Sequence, residues 1–238
     1  SQSGETADTI ACVKKCKCKT LAITNVPNSS ITFACKKTIL MKAGWERAVA
    51  STKAYSCQLL IFYLLKCLLK DKKPKIKTLI RQSKQYLNSL NLTQLAKKVA
   101  TFEKVMFIGR QDDYITAKEG ALKLKEISYI NCTACPSGEL KHGTLALVDE
   151  NTLIILISTK NNLISKNLLT KEEIEARGGK CLILGNFENA DIKLPKLSAD
   201  LMPILSILPL QVLACEVCIL KGYNPDKPRN LSKSVTVE

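Results

Sequence analysis

The chain has 238 residues, 46% of them hydrophobic, which is enough apolar material for one large domain or two domains of ordinary size. Its net charge of +15 invites a nucleic-acid partner, but only five of the 36 basic residues are arginine, and lysines are scattered through every segment. Nucleic-acid interfaces favour arginine and concentrate their charge, so we expect a solvated basic surface and no nucleic-acid partner.

The eleven cysteines leave two interpretations open. Cys132-x-x-Cys135 and Cys215-x-x-Cys218 could together form a four-thiolate zinc site. The second pair, however, lies in an apolar helical pattern, where cysteine behaves as a small hydrophobic residue. We expect reduced thiols, with no metal and no cofactor.

The first predicted element is a hydroxyl-rich loop, residues 1–6, that runs into a predicted helix at 7–17. The first N–H groups of a helix lack intrahelical partners and the helix dipole favours an anion, so Ser1, Gln2, Ser3 and Thr6 predict a phosphate site. Such a loop normally follows a buried strand. We therefore expect the chain to be a fragment that begins inside a phosphate-binding unit.

Short apolar runs then alternate with longer helical patterns, which is typical of a parallel α/β architecture. Strands are predicted at residues 20–24, 38–41, 104–108, 152–158 and 180–184, and helices at 48–70, 75–87, 92–101, 113–130, 166–177 and 208–221. The apolar stretch 201–220 contains Pro203, Pro209, Gln211 and Glu216, and therefore favours a buried helix over a membrane span. The lysine-rich stretch 70–75 is the best candidate linker.

Two segments of the second half carry candidate catalytic groups. On a helix, Glu119, Lys123 and Glu126 share one face, which suits either a solvated salt-bridge stripe or an acid–base pair in a cleft. His142 is the only histidine of the chain and lies in a glycine-containing loop. An imidazole exchanges protons near neutral pH, although most lone histidines are structural or merely exposed.

Five segments together resemble the isomerase half of the glucosamine-6-phosphate synthase family, whose members are also called glutamine–fructose-6-phosphate aminotransferases (isomerizing). The matching segments are SQSGETADT, VASTKAY, EGALKLKEISYI, GELKHG and the terminal PRNLSKSVTVE. The resemblance covers residues 1–238.

The resemblance implies two sugar isomerase (SIS) domains, each with three αβα layers and a parallel sheet, and an irregular C-terminal tail. It divides the chain into residues 1–73, the remnant of a first SIS domain without its N-terminal strand, residues 74–224, the second SIS domain, and residues 225–238, the tail. It also implies a cytoplasmic homodimer without nucleic-acid or membrane partners, and a missing N-terminal glutaminase domain that supplies ammonia. The implied substrate and product are fructose 6-phosphate and glucosamine 6-phosphate.

The resemblance also implies a role for each matching residue around one hexose phosphate. Ser1, Gln2, Ser3 and Thr6 hold the phosphate, and Val49, Ser51 and Ser232 line the sugar. Glu126 moves a proton between C1 and C2 with the help of Lys123, His142 opens the furanose ring from across a dimer interface, and Lys233 forms an imine with the open-chain ketose.

The chain departs from the family at several positions near these residues. Asn131, Thr133 and Cys135 replace the usual His, Glu and Tyr, and Thr144 replaces a proline. Trp45 and Arg47 stand where small or aliphatic residues are usual, and the helix after the phosphate loop is short. Two alternatives remain at this stage: a non-catalytic SIS module that senses a sugar phosphate, and a nucleic-acid-binding protein.

Overall fold

A computed structural model describes residues 1–233, and the end of the predicted tail, residues 234–238, lies outside the described residues. The chain divides into two compact units. The first unit comprises residues 1–74 together with the described tail from Asp226, and the second unit is Lys75–Pro225. The first unit is therefore built from both ends of the sequence.

The first unit contains a short parallel sheet and three helices. Its elements are α1 (Ala7–Lys15), β1 (Leu21–Thr24), α2 (Ser30–Ala34), β2 (Lys37–Leu40) and α3 (Lys53–Leu69). Strands β1 and β2 pair in parallel, with Leu21 opposite Lys37. The small core joins Met41 to Ala54 and Ile61 of α3, and half-buried Ile23 and Ile39 of the strands pack against it.

The second unit has a five-stranded, fully parallel sheet in the order β4-β3-β5-β6-β7. Its elements are α4 (Ile76–Ser89), α5 (Thr93–Ala100), β3 (Lys104–Gly109), α6 (Asp112–Ser128), β4 (Asn131–Pro136), β5 (Thr152–Ser158), α7 (Ile164–Glu175), β6 (Lys180–Gly185), β7 (Ile192–Lys193) and α8 (Met202–Leu220). Short 3₁₀ helices at Leu140–His142 and Thr144–Leu147 follow β4, and a third at Asn161–Leu163 precedes α7.

Successive side chains of a strand point to opposite faces of a sheet, and every residue of β5 is buried. Both faces of this sheet are therefore covered by helices. On one face, Ile154 and Leu156 of β5 pack in a cluster with Ile174 of α7. On the other face, Gly120 of α6 lies so close to Phe107 of β3 and Leu210 of α8 that a Cβ atom would be 2.6–3.1 Å from their side chains. The predicted α/β class with parallel sheets is confirmed.

Helix α8 begins at Met202, earlier than the predicted residue 208. Pro203 occupies its first turn, where a missing N–H costs nothing, and Pro209 lies inside the helix and is buried. The helix is long and apolar enough to span a membrane, with a mean hydropathy of 2.0. It packs instead against α4, α5 and α6 within the second unit and forms part of its interior.

The cysteines bear on the zinc alternative. All eleven are free thiols, and Cys132 and Cys218 are buried. Burial raises the pKa of Cys132 to about 12, which disfavours the thiolate that a metal requires. Within residues 1–233, no group of three or more His, Cys, Asp and Glu side chains is arranged to hold a metal ion.

Candidate active site

The opening loop forms a compact cradle of hydroxyl groups and backbone N–H groups. The Ser1 and Thr6 hydroxyls lie 3.0 Å apart, the amide of Gly4 donates to Ser1 Oγ at 3.1 Å, and the amide of Glu5 donates to Ser3 Oγ at 3.2 Å. No described side chain caps α1 at its N-cap residue Thr6. The first turn of α1 therefore keeps N–H donors that suit an anion.

The cradle is held in place by close contacts with the start of α2. Gly4 has φ +75°, and a Cβ atom there would lie 2.0 Å from the Ser29 hydroxyl, so only glycine fits. The carboxylate of Glu5 accepts from the Ser30 amide at 2.9 Å and from its hydroxyl at 2.5 Å. These hydrogen bonds, the one to the hydroxyl above all, lower the pKa of Glu5.

Asn25 connects the cradle to the segment that leads into α3. Its backbone amide donates to the carbonyl of Gln2 at 3.1 Å. Its side chain accepts from the amide of Ala43 at 2.9 Å and donates to the carbonyl of Gly44 at 2.8 Å. The sequence marks Asn25 only as part of a turn, and this bridging role is visible only in the fold.

The predicted sugar-lining residues lie in a loop, residues 48–52, between that segment and α3. The helix begins at Lys53 and not at the predicted residue 48, and the difference leaves Val49 and Ser51 in irregular backbone. Loop residues present polar groups in several directions, whereas in a helix the same N–H and C=O groups would be used internally. The boundary therefore decides what these residues can contact.

The tail returns to this loop within the first unit. The carbonyl of Asp226 accepts from the amide of Val49 at 3.4 Å. The Lys233 ammonium donates to the carbonyl of Ala48, and to the Ser51 hydroxyl at 3.4 Å. Ser232 is exposed beside Lys233. Two residues that the sequence separates by most of its length, Ser51 and Lys233, are thus in contact.

The second unit holds the predicted acid–base residues on α6. Lys123 is only 5% exposed, and its ammonium lies 2.8 Å from Glu126 Oε2 and 3.6 Å from Glu119 Oε1. The Glu119 and Glu126 side chains are 13% and 22% exposed, so this is not the fully solvated stripe that was the alternative. Burial is the main cause that raises the pKa of Glu119, and the nearby Lys123 opposes it.

His142 lies in a different setting of the same unit. It ends the 3₁₀ helix Leu140–His142, is exposed, and is followed by Gly143 with φ +139°. The fully buried Leu140 anchors this helix, and Lys141 forms an ion pair of 2.6 Å with Glu173 of α7. The imidazole therefore stands on a fixed turn and faces solvent.

The predicted site residues thus fall into two sets, each described within its own unit. The first unit holds Ser1, Gln2, Ser3, Thr6, Val49, Ser51, Ser232 and Lys233, and the second holds Lys123, Glu126 and His142. A cavity of about 830 Å³ in the second unit, lined by α4 and the region of β7, includes none of them. The size of a cavity therefore does not locate the predicted site residues in this chain.

Comparison with known proteins identifies the fold that carries these groups. A family model described as "SIS domain" matches residues 1–67 and 99–220. The chain belongs to the SIS domain family. One solved structure is 38% identical in sequence and superposes with a TM-score of 0.81. The match covers 96% of this chain and 72% of the chain in that structure. That structure is the C-terminal domain of glucosamine-fructose-6-phosphate aminotransferase from Francisella tularensis.

Curated relatives agree with this assignment. The glutamine–fructose-6-phosphate aminotransferase (isomerizing) of Caldanaerobacter subterraneus subsp. tengcongensis is 44% identical to this chain over 262 aligned residues. The enzyme of the same name from Buchnera aphidicola is 41% identical over 260 aligned residues, and both alignments cover the whole chain. The chain spans 43% of the length of each, in their C-terminal half. These matches exceed the 238 residues of the chain, so the relatives carry short segments that it lacks.

A more distant structure shows the fold alone. Glucosamine-6-phosphate deaminase from Thermotoga maritima superposes with a TM-score of 0.83 at 24% identity, and covers 99% of this chain. This likeness shows a shared fold and not a shared reaction. The assignment of a reaction must rest on the individual side chains.

Proposed function

We propose that the chain is the isomerase portion of a glutamine–fructose-6-phosphate aminotransferase (isomerizing). It would convert fructose 6-phosphate and ammonia into glucosamine 6-phosphate and water. The observation that carries this proposal is the ion pair on α6 between the buried Lys123 and the half-buried Glu126, because a sensor of sugar phosphates has no need of such an acid–base pair. The identity to the named relatives over the whole chain supports the same reaction.

The roles follow from the chemistry of each group. The cradle of residues 1–6 binds the phosphate, and Val49, Ser51 and Ser232 line the sugar. His142 protonates and deprotonates the ring oxygen and hydroxyl as the furanose opens. The Lys233 amine then adds to the C2 carbonyl, and loss of water gives an imine.

The imine makes the hydrogens on C1 more acidic. Glu126 removes a proton from C1 of this imine, or of the imine that forms when ammonia replaces the lysine at C2, and the nitrogen takes up a proton, which gives an enolamine. In the species derived from ammonia, C2 then gains a proton and the C1 hydroxyl loses one, so that the ketose skeleton becomes the 2-amino aldose. Lys123 orients Glu126 through the 2.8 Å contact and balances its charge during this transfer. Ammonia comes from a glutaminase domain elsewhere in the polypeptide, and we propose a cytoplasmic homodimer in which His142 serves the partner's site.

Deuterium exchange tests this proposal without any need for glutamine. The chain is incubated with fructose 6-phosphate in D₂O, and incorporation of deuterium at C1 is followed by NMR. Glu126→Gln should slow the exchange by about 10²–10⁴-fold and leave binding of fructose 6-phosphate largely unchanged, because the amide cannot accept the proton. The same substitution at the exposed Glu150 is the matched control.

Addition of ammonium chloride extends the test to the amino transfer. The wild-type chain should form glucosamine 6-phosphate, and Glu126→Gln should not. Binding of the sugar phosphate without any C1 exchange in the wild-type chain would instead favour the regulatory alternative. Binding of duplex DNA that fructose 6-phosphate does not affect would support the nucleic-acid alternative.

A further inference from the structure

A buried carboxylate that the proposed reaction does not use lies just before the loop at residues 48–52. Glu46 is 4% exposed, and both of its oxygens accept hydrogen bonds from the first turn of α3. Oε1 accepts from the Thr52 amide at 3.2 Å and from its hydroxyl at 3.4 Å, and Oε2 accepts from the Ala54 amide at 2.8 Å. Glu46 therefore caps α3, where the N-cap residue Thr52 provides no side-chain cap of its own.

This cap closes the loop at both ends. Glu46 stands at its start, and the amides it binds stand at its end, so that residues 47–51 are held as a closed turn. A second closure runs alongside, since the Lys53 ammonium donates to the carbonyl of Trp45 at 2.7 Å. The shape of the loop thus depends on a few side-chain hydrogen bonds.

The closed loop provides the groups that receive the tail. The carbonyl of Ala48 and the hydroxyl of Ser51 accept from the Lys233 ammonium, and the amide of Val49 donates to the carbonyl of Asp226. All three groups belong to the turn that Glu46 closes. A shift of that turn would move the acceptors of Lys233 directly.

We propose that Glu46 is a positioning residue for Lys233. Glu46 acts through the backbone of residues 48–52 and sets the position of the Lys233 amine, without contacting substrate in this role. The effect on catalysis rests on the function proposed above. A misplacement of about 1 Å in a reacting group can cost about 10²-fold in rate. Loss of the cap from Glu46 should therefore slow the imine step without removing the amine itself.

Glu46→Gln is the informative substitution because it keeps the size of the side chain. A carboxylate accepts at both oxygens, but an amide has one acceptor and one NH₂ donor. In either orientation of the amide, one of the Thr52 and Ala54 amides would face a donor. The turn must then shift or leave a buried N–H unpaired.

The matched control is Asp71→Asn. Asp71 is exposed, lies just beyond the other end of α3, and has φ +48°, which asparagine tolerates. Both substitutions remove one negative charge from the ends of the same helix. Only Glu46→Gln changes the loop that contacts the tail.

Two measurements follow on the full chain. The first is the rate at which borohydride traps fructose 6-phosphate on Lys233, which Glu46→Gln should lower by about 10–100-fold with little change in sugar binding. The second is labelling by acetic anhydride, mapped by mass spectrometry. Lys233 should label faster in Glu46→Gln than in the wild type, relative to the exposed Lys227 of the same tail. Asp71→Asn should change neither quantity.

The outcomes separate this proposal from the proposed function. If the wild-type chain traps no sugar but Glu46→Gln still exposes Lys233 to labelling, the imine role is wrong and the positioning is supported. If Glu46→Gln folds and both trapping and labelling match the wild type, the positioning is overturned. If Glu46→Gln does not fold, Glu46→Asp replaces it; intermediate trapping and labelling support the proposal, and wild-type values refute it.

Discussion

The two units each hold a lysine of the proposed reaction, and they hold it in contrasting ways. Lys123 is buried on the regular helix α6 between two carboxylates, one turn away on either side. Lys233 is half-buried on irregular chain, and donates to a carbonyl and a hydroxyl of a loop. An ion-paired lysine on a rigid helix suits the placing of charge, whereas a lysine on irregular chain can move its amine toward a carbonyl more easily.

The supports of the two lysines differ in the same way. Helix α6 packs against β3, β4, β5 and α8, whose side chains include fully buried residues such as Phe107 and Leu156. The loop at 48–52 depends on the cap from Glu46 and on a core of few residues. Regular elements therefore fix the position of Lys123, and a chain of side-chain hydrogen bonds fixes the position of Lys233.

The largest effect on activity should come from removing each of the two lysines in turn. Lys233→Ala should reduce borohydride trapping of fructose 6-phosphate to background, because the chain then lacks the amine that forms the imine. Lys123→Met should keep trapping at Lys233 but lower turnover by about 10²–10⁴-fold, since Glu126 loses its partner. Peptide mapping identifies the trapped residue. Undiminished trapping in Lys233→Ala, or a sugar bound to Lys123, would refute the division of roles.

A smaller effect should distinguish the two cores. Leu156→Ala in β5 removes a fully buried side chain and should lower the free energy of unfolding by about 2–5 kcal/mol. Ile39→Ala in β2 should cost at most about half as much, because Ile39 is only half-buried. Urea unfolding of the full chain, followed by circular dichroism, gives both values. Equal losses would show that the first unit is as tightly packed as the second.

The smallest effect concerns pH and Glu119. Burial raises its pKa in the folded chain, so its contribution to stability is fully present below the ordinary glutamate pKa and is lost as the pH rises through the folded value. Glu119→Gln removes this loss. The mutant should therefore gain stability relative to the wild type between pH 4 and pH 7, because the glutamine has no proton to lose over this range.

Urea midpoints at the two pH values measure the difference, with Glu150→Gln as the exposed control. A relative loss of stability on going to pH 7 would mean that the pairing with Lys123 outweighs burial at Glu119. In that case Glu119, Lys123 and Glu126 of α6 would behave like an ordinary surface ion pair.

The regular part of the second unit could be predicted from the sequence. Residues 152–158 form β5 as predicted, because an uninterrupted apolar run is typical of a strand buried on both faces. Strand β4 was missed, since Asn131–Pro136 is polar, contains two cysteines and lies at the edge of the sheet. No periodicity of apolar residues marks such a strand.

The loop that binds the tail could not be predicted, for a related reason. The sequence from residue 48 to residue 52 continues the pattern of α3, and the cap from Glu46 marks the start of the helix at Lys53 in a way that this pattern does not reveal. The contact of Ser51 with Lys233 likewise depends on the return of the tail. The family resemblance implies a role for both residues, but these roles stay predictions.

The first unit is built from both ends of the chain, and this has a consequence for its synthesis. A ribosome that has finished the second unit has yet to make Asp226 to Lys233, although residues 1–74 left it long before. Folding in order of translation therefore cannot complete the earlier unit first. A message broken just before the codon of Asp226 would therefore encode all of the second unit, but a first unit without the segment that contacts Val49 and Ser51.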